Sequence, residues 1–169
     1  MCEYIDVYDA NRQVTGRIVA REGSQLGEGE FMLYVLAIIQ NEPGEFLITQ
    51  RSLDKHWAAG WWETTGGGVL AGETPEQAVV REVGEETGLD VSHEVPELLY
   101  TYENVDTVHH DNYFVNIYRF RFDFDPSTVS LQESEAIDFR LATWDQISEL
   151  AEQGRFLHFN RIKLALDRE

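Results

Sequence analysis

Residues 67–89, GGVLAGETPEQAVVREVGEETGL, hold the feature that most constrains the chain: a helix with both of its ends encoded. Thr74 is a natural N-cap, Pro75 suits the first helical position, and Gln77 completes a capping box with the threonine. Gly88 supplies the left-handed residue that ends helices, so the spacing predicts a helix over residues 75–87. Ala78, Val79 and Val83 form one apolar stripe, which obliges the rest of the chain to supply a core for it. The other face holds Glu82, Glu85 and Glu86.

Those glutamates fall at i, i+3 and i+4, so their carboxylates project from neighbouring points on one side of the helix. Folding alone disfavours this arrangement. Like charges at this spacing repel by roughly 0.2–0.5 kcal/mol per pair, and the dipole disfavours anions in the last turn by roughly 0.3–1 kcal/mol. A divalent cation reverses both penalties. Hard oxygen ligands suit Mg²⁺ or Mn²⁺, which bind one or two carboxylates together with substrate phosphates. Taken alone, three helical glutamates on a very acidic protein read as a solvated face; the surrounding string decides otherwise.

Gly67, then Glu73, then Arg81-Glu82-Val83-Gly84-Glu85-Glu86-Thr87-Gly88-Leu89 resembles the Nudix box, Gx5Ex7REUxEExGU with U aliphatic, at every specified position. A pattern with so many fixed positions is far more specific than a lone glycine motif. The resemblance implies the α/β class, a Nudix-type α/β/α sandwich with a mixed β-sheet, in which the box is a loop, helix and loop carrying catalysis. It also implies hydrolysis of a nucleoside diphosphate linked to another group, with Mg²⁺ or Mn²⁺ as cofactor and a small phosphorylated molecule as substrate. By that resemblance Gly67, Glu82, Glu85 and Glu86 are the metal-binding candidates. Arg81 would hold Glu73 and the loop in place.

With 169 residues and 43% hydrophobic content, the chain fits one domain, residues 1–169, with residues 1–30 as an N-terminal hairpin extension. No apolar run approaches ~20 residues, and the N-terminus MCEYIDVYDA is too acidic for a signal peptide, so a cytoplasmic location is expected. A single cysteine, Cys2, excludes an internal disulfide and a cysteine-rich zinc site. The formal charge of -18, from 13 basic and 31 acidic residues, argues against nucleic acid and anionic membrane as partners. Metal ions and a few local cations must therefore attract a phosphorylated substrate.

In chain order, residues 4–8 alternate like a short strand and pair with residues 17–19 across a turn-like stretch, giving a hairpin. The hairpin either covers the main sheet or makes a homodimer contact. Residues 21–30, rich in Gly and Glu, read as a loop. The nearly continuous apolar run over residues 31–40 predicts a central strand buried on both faces. After the turn signal Asn41-Glu42-Pro43-Gly44, residues 46–50 return antiparallel.

Arg51 and Lys55 follow. The segment FLITQRSLDKHWAAGWWETTGGGVLAGE is similar to the isopentenyl-diphosphate isomerase branch of the same fold, which carries diphosphate-contacting basic residues at these two positions. That similarity makes Arg51 and Lys55 substrate-binding candidates; as plain residues they read equally as solvated loop cations. The same isomerases place a catalytic cysteine and metal-binding histidines around this segment. Here the corresponding positions look like Gly66 and Gly68, with Met32 upstream, so isomerase chemistry lacks its reacting groups. The triple glycine 66–68 reads as a flexible turn allowing close backbone approach to phosphate or metal. Trp57, Trp61 and Trp62 read as core or strand-edge residues ahead of base-stacking platforms, with one of them lining the substrate pocket as the alternative.

Beyond the box, residues 97–102 and 112–124 read as strands, with His109 and His110 between them as a surface pair or a substrate contact. In many Nudix hydrolases a glutamate in the loop before the next strand, here residues 137–141, supplies a further metal ligand or the general base. Glu133 and Glu135 are the candidates. Thr143 and Gln146 form a second capping box, for a helix through Ile147, Leu150 and Ala151 that Gly154 ends, and residues 158–168 form a last helix.

The expected reaction is attack of water on a phosphorus surrounded by negative oxygens, which requires charge neutralisation and a base. Glu86, Glu82 and a loop residue such as Glu135 are alternatives for the base. A pyrophosphohydrolase is favoured because no box position is degraded. An isopentenyl-diphosphate isomerase-like enzyme and a non-catalytic module that binds a phosphorylated ligand are the alternatives. No adenosine-diphosphoribose or diadenosine-polyphosphate marker follows the box, so the leaving group is left open.

Overall fold

A computed structural model describes residues 2–23 and 26–167 of the chain. It begins with an antiparallel hairpin of β1 (Tyr4–Tyr8) and β2 (Val14–Ala20). The hairpin covers its own chain. Ile5, Val7 and Tyr8 are buried, and Tyr8 exchanges two backbone hydrogen bonds of 2.9 Å with Phe31. β1 also holds the loop that leads into the box helix, since the Tyr4 carbonyl accepts from the Ala71 N–H at 2.9 Å and Asp6 Oδ2 accepts from the Gly72 N–H at 2.7 Å. β2 faces outward, with Val14 and Ile18 exposed. Residues 24 and 25 of the expected 21–30 loop lie outside the described residues.

β3 (Met32–Gln40) is the strand around which the layers form. It is followed by β4 (Phe46–Arg51), β5 (Trp62–Glu63), β6 (Thr65–Gly68), and α1 (Pro75–Thr87). The chain then runs through β7 (Glu97–Asn104), β8 (Tyr113–Arg121), β9 (Ala136–Ala142), α2 (Trp144–Glu152) and α3 (Phe159–Leu166). Leu33, Val35, Ala37 and Ile39 of β3 pack with Ala78, Val79 and Val83 of α1. Leu36 and Ile38 point the other way and pack with Ile147 and Leu150 of α2 and with Ile162 and Ala165 of α3. Side chains alternate along a strand, so one continuous apolar run feeds two cores. The result is an α/β sandwich with α1 on one face and α2 and α3 on the other.

The sheet runs β5-β4-β3-β8-β7, with β6 also paired to β3 and β9 to β4. β3 and β8 are parallel, from Met32 opposite Tyr113 to Gln40 opposite Arg121. The remaining pairings are antiparallel, so the sheet is mixed. β8 stops at Arg121, short of the expected 124, because β3 ends there and leaves no partner for the ladder. None of the described helices is long and apolar enough to cross a membrane.

α1 has the boundaries that its caps dictate. Thr74 Oγ1 accepts from the Gln77 N–H at 3.2 Å, Gln77 Oε1 accepts from the Thr74 N–H at 2.9 Å, and Gly88 closes the helix at φ 71°. The reading of residues 66–68 as a turn is corrected. They form β6 and pair with β3, Gly66 opposite Leu36 and Gly67 opposite Val35. Their glycines answer to crowding rather than to turning: a Cβ on Gly66 would lie 2.3 Å from the Val35 carbonyl oxygen.

Candidate active site

The site is assembled where β6 passes under α1. Glu82, 7% exposed, lies so close to β6 that a Cβ on Gly67 would stand 2.2 Å from its Oε1. Real Cβ atoms do not approach an oxygen this closely, so any side chain here would push the Glu82 carboxylate out of the place where Arg81 holds it. Arg81 organises the surroundings. Its Nε and Nη2 donate to the two oxygens of Glu73 at 2.8 and 3.0 Å, and Nη2 also donates to the Gly68 carbonyl at 3.0 Å. Nη1 donates to Glu82 Oε1 at 2.8 Å and to Glu85 Oε2 at 3.3 Å. Glu73 in turn accepts from the Leu70 N–H at 3.0 Å. One guanidinium thus ties the loop before α1 to two of the helix carboxylates.

Glu86, half-buried, sits beside carboxylates that come from elsewhere in the chain. The 130–135 loop is fastened to the end of α1 by Ser130 and Gln132, whose N–H groups donate to the carbonyls of Thr87 at 2.8 Å and Glu86 at 3.4 Å. These bonds satisfy carbonyls that the helix end leaves unpaired. They also bring Glu135 to the site, where its Oε2 accepts from Lys55 Nζ at 2.5 Å. Glu63 approaches from β5 and binds Arg51 Nη1 through both oxygens, at 3.0 and 3.1 Å.

Burial, followed by the charges of Glu82, Glu63 and Glu135, pushes the Glu86 carboxyl up to about 9. Burial likewise raises Glu82 and Glu63, with Arg81 and Arg51 respectively pulling the other way. A site that penalises its own ionised carboxylates in this way fits a divalent cation, and its donors are the hard oxygens that Mg²⁺ and Mn²⁺ prefer. Among the described residues no group of three or more His, Cys, Asp or Glu side chains is arranged as it stands to hold a metal ion. Glu82 and Glu85 are instead turned to Arg81.

Two cavities open here. A polar one of about 420 Å³ is lined by Glu82, Glu85, Glu86, Glu135, Lys55 and Arg21. A neighbouring one of about 530 Å³ is walled by Tyr34, Trp57, Tyr102, Tyr113 and His158, with Arg51 at its side. The Thr64 hydroxyl, buried in the wall of the second, has no hydrogen-bond partner among the described residues. Burial and then Arg51 lower the pKa of His158.

Of the residues singled out from sequence, Gly67, Glu73, Arg81, Glu82, Glu85, Glu86 and Glu135 converge. Lys55 and Arg51 are present but engaged by Glu135 and Glu63. Glu133 is exposed and lines neither cavity. His109 is also exposed, with Nδ1 2.8 Å from Asp106 Oδ2. Trp62 belongs to the core, but Trp57, 62% exposed, walls the aromatic cavity, which corrects its reading as a core or strand-edge residue. Glu63, Arg21 and the three tyrosines were missed. Their positions depend on pairings between distant strands, and no local spacing announces them.

The family model for the NUDIX domain matches residues 30–163. An uncharacterised Nudix hydrolase of Listeria monocytogenes is 31% identical over 155 residues, which cover 91% of this chain and 88% of that one. The 8-oxo-dGTP diphosphatase of Escherichia coli is 50% identical over 58 residues, 34% of this chain and 44% of that one. Among solved structures, a Deinococcus radiodurans protein has the same fold, with a TM-score of 0.75 at 20% identity and coverage of 98% of this chain and 99% of that one.

Proposed function

Because the chain belongs to the Nudix hydrolase family, we propose that it uses Mg²⁺ or Mn²⁺ to hydrolyse a diphosphate bond in a nucleoside diphosphate linked to another group. The observation that carries this reading is the placement of Glu86, a half-buried carboxyl pushed up to about 9 by burial and by Glu82, Glu63 and Glu135. Glu82, Glu85, Glu86 and the Gly67 carbonyl would hold the ion. When bound, such an ion neutralises phosphate charge and acidifies the attacking water.

The chain's own groups supply the rest. Arg81 and Glu73 fix the position of Glu82. Lys55, on the polar cavity, and Arg51, on the aromatic one, add positive charge near the phosphates while each stays paired with its own carboxylate, Glu135 and Glu63. Water attacks phosphorus, the bridging P–O bond breaks towards the leaving phosphate, and a carboxylate takes the water's proton. Glu135, Glu86 and Glu82 are the candidates for that base; Glu135 comes from a separate loop and is held by Lys55. The hairpin extension serves the same domain, because β1 anchors the loop before α1. Glycine at positions 66 and 68 speaks against isomerase chemistry, since neither residue offers a reacting group.

A panel of nucleoside diphosphates, nucleotide sugars, dinucleotides and isoprenoid diphosphates, each incubated with Mg²⁺ or Mn²⁺, tests the reading. The expected result is metal-dependent release of two phosphorylated products from a nucleotide substrate. Isomerisation of isopentenyl diphosphate, or binding of panel compounds with no turnover, would overturn it.

A further inference from the structure

The polar and aromatic cavities share three lining residues, Arg21, Gly66 and Gly67. Arg21 is the charged one. It follows β2 directly, so the N-terminal hairpin delivers it to the junction. Its guanidinium rests on the box, because a Cβ on Gly68 would stand 3.4 Å from both Cζ and Nε. On its other side it lies 5.9 Å from the centre of the Tyr34 ring, part of the aromatic wall. A substrate with its diphosphate over the carboxylates and its remaining group among the aromatic rings must pass a phosphate beneath this guanidinium.

The other cations near the junction are committed. Arg51 grips both oxygens of Glu63 and also donates to the Trp57 carbonyl, with side-chain exposures in the ion pair of only 16% and 21%. Stripping Glu63 of that partner would leave an unpaired buried carboxylate beside Glu86. Lys55 holds Glu135. Arg21 is different. Its ion-pair partner among the described residues is a single oxygen of Glu3 at 2.6 Å, the two side chains are 34% and 44% exposed, and the Tyr34 hydroxyl and the Glu82 carboxylate also act on it. A solvated pair of this kind contributes little and exchanges readily for a better anion.

We propose that Arg21 is a substrate-binding residue that grips the phosphate lying between the two cavities, and that Glu3 holds the same place as a competing anion. The inference rests on the hydrolase reading for its substrate class, but it is tested by binding alone. Inorganic pyrophosphate is titrated calorimetrically, with Mg²⁺ present, into the wild-type protein and five variants. Arg21→Gln should weaken binding by about 10–100-fold, the loss expected for a charge-assisted bond. Arg21→Lys should fall between, keeping the charge and losing the fork. Glu3→Gln should tighten binding, by more than Glu22→Gln, which removes the same charge from the same cavity mouth. Arg17→Gln, on the hairpin but paired with Glu30 outside both cavities, should match wild type.

A purely structural ion pair would make Arg21→Gln and Glu3→Gln weaken binding together, and that result would overturn the proposal. So would wild-type affinity in Arg21→Gln, equal gains from Glu3→Gln and Glu22→Gln, or no pyrophosphate binding by the wild type. Because turnover is not read, a failed substrate panel and a failed Arg21 assignment remain distinct results.

Discussion

Glu86 carries an electrostatic cost that should be visible in the stability of the protein. Its carboxyl is pushed up to about 9 in the fold, against an ordinary value near ~4.3 in an unfolded chain. Between those values the folded state keeps a proton that the unfolded state has lost, so stability falls as pH rises. In protein stripped of metal with EDTA, the melting temperature should therefore fall from pH 5 towards pH 9. Glu86→Gln should flatten that decline and be the more stable of the two at pH 8. Adding Mg²⁺ should recover the wild type and not the variant. Parallel pH profiles for the two proteins would show that Glu86 is not the group responsible. Gly67 makes a related point about sterics, since its missing side chain is what leaves room for the Glu82 carboxylate.

At the scale of elements, α1 is held by its ends and by one face. The reciprocal Thr74 and Gln77 bonds fix its start. Thr74→Ala should cost about 0.5–2 kcal/mol, read as a fall in melting temperature of about 2–4 °C per kcal/mol; an unchanged melting temperature would refute the role given to the cap. This helix was legible from sequence because a cap is a local event, decided within a few residues. β3 was legible for a different reason: its length and unbroken apolar character leave no polar face to expose. The triple glycine was misread because what demands glycine there is Val35 and Glu82, brought in by strand pairing and by the helix crossing above. Glu63 and Arg21 were invisible for the same reason. Glu63 faces Glu86 only because β5 pairs with β4, and Arg21 reaches the box only because the hairpin folds back on Phe31. In the 130–135 loop, two glutamates looked alike, and the bonds to the end of α1 bring one of them, Glu135, inward.

For the whole molecule, the governing fact is a formal charge of -18 on a protein whose substrate is proposed to be an anion. Such a field repels phosphate at long range, and the sandwich answers it locally. It gathers Arg21, Arg51, Lys55 and Arg81 around one group of carboxylates, each cation paired with an acid. Both apolar cores lie behind this edge and hold β6, α1 and the incoming loop in a fixed relation. Preorganisation of that kind lets a small displacement matter, since the partners that orient metal ligands are typically worth ~10–100-fold in affinity or activity. The most direct measurement is the turnover of the best panel substrate by wild type and by Glu86→Gln under saturating Mg²⁺, with folding of the variant checked by its thermal transition. Loss of turnover by about a hundredfold or more in a folded variant is the predicted result. A folded Glu86→Gln protein that keeps wild-type turnover would contradict the assignment of the box carboxylates to catalysis.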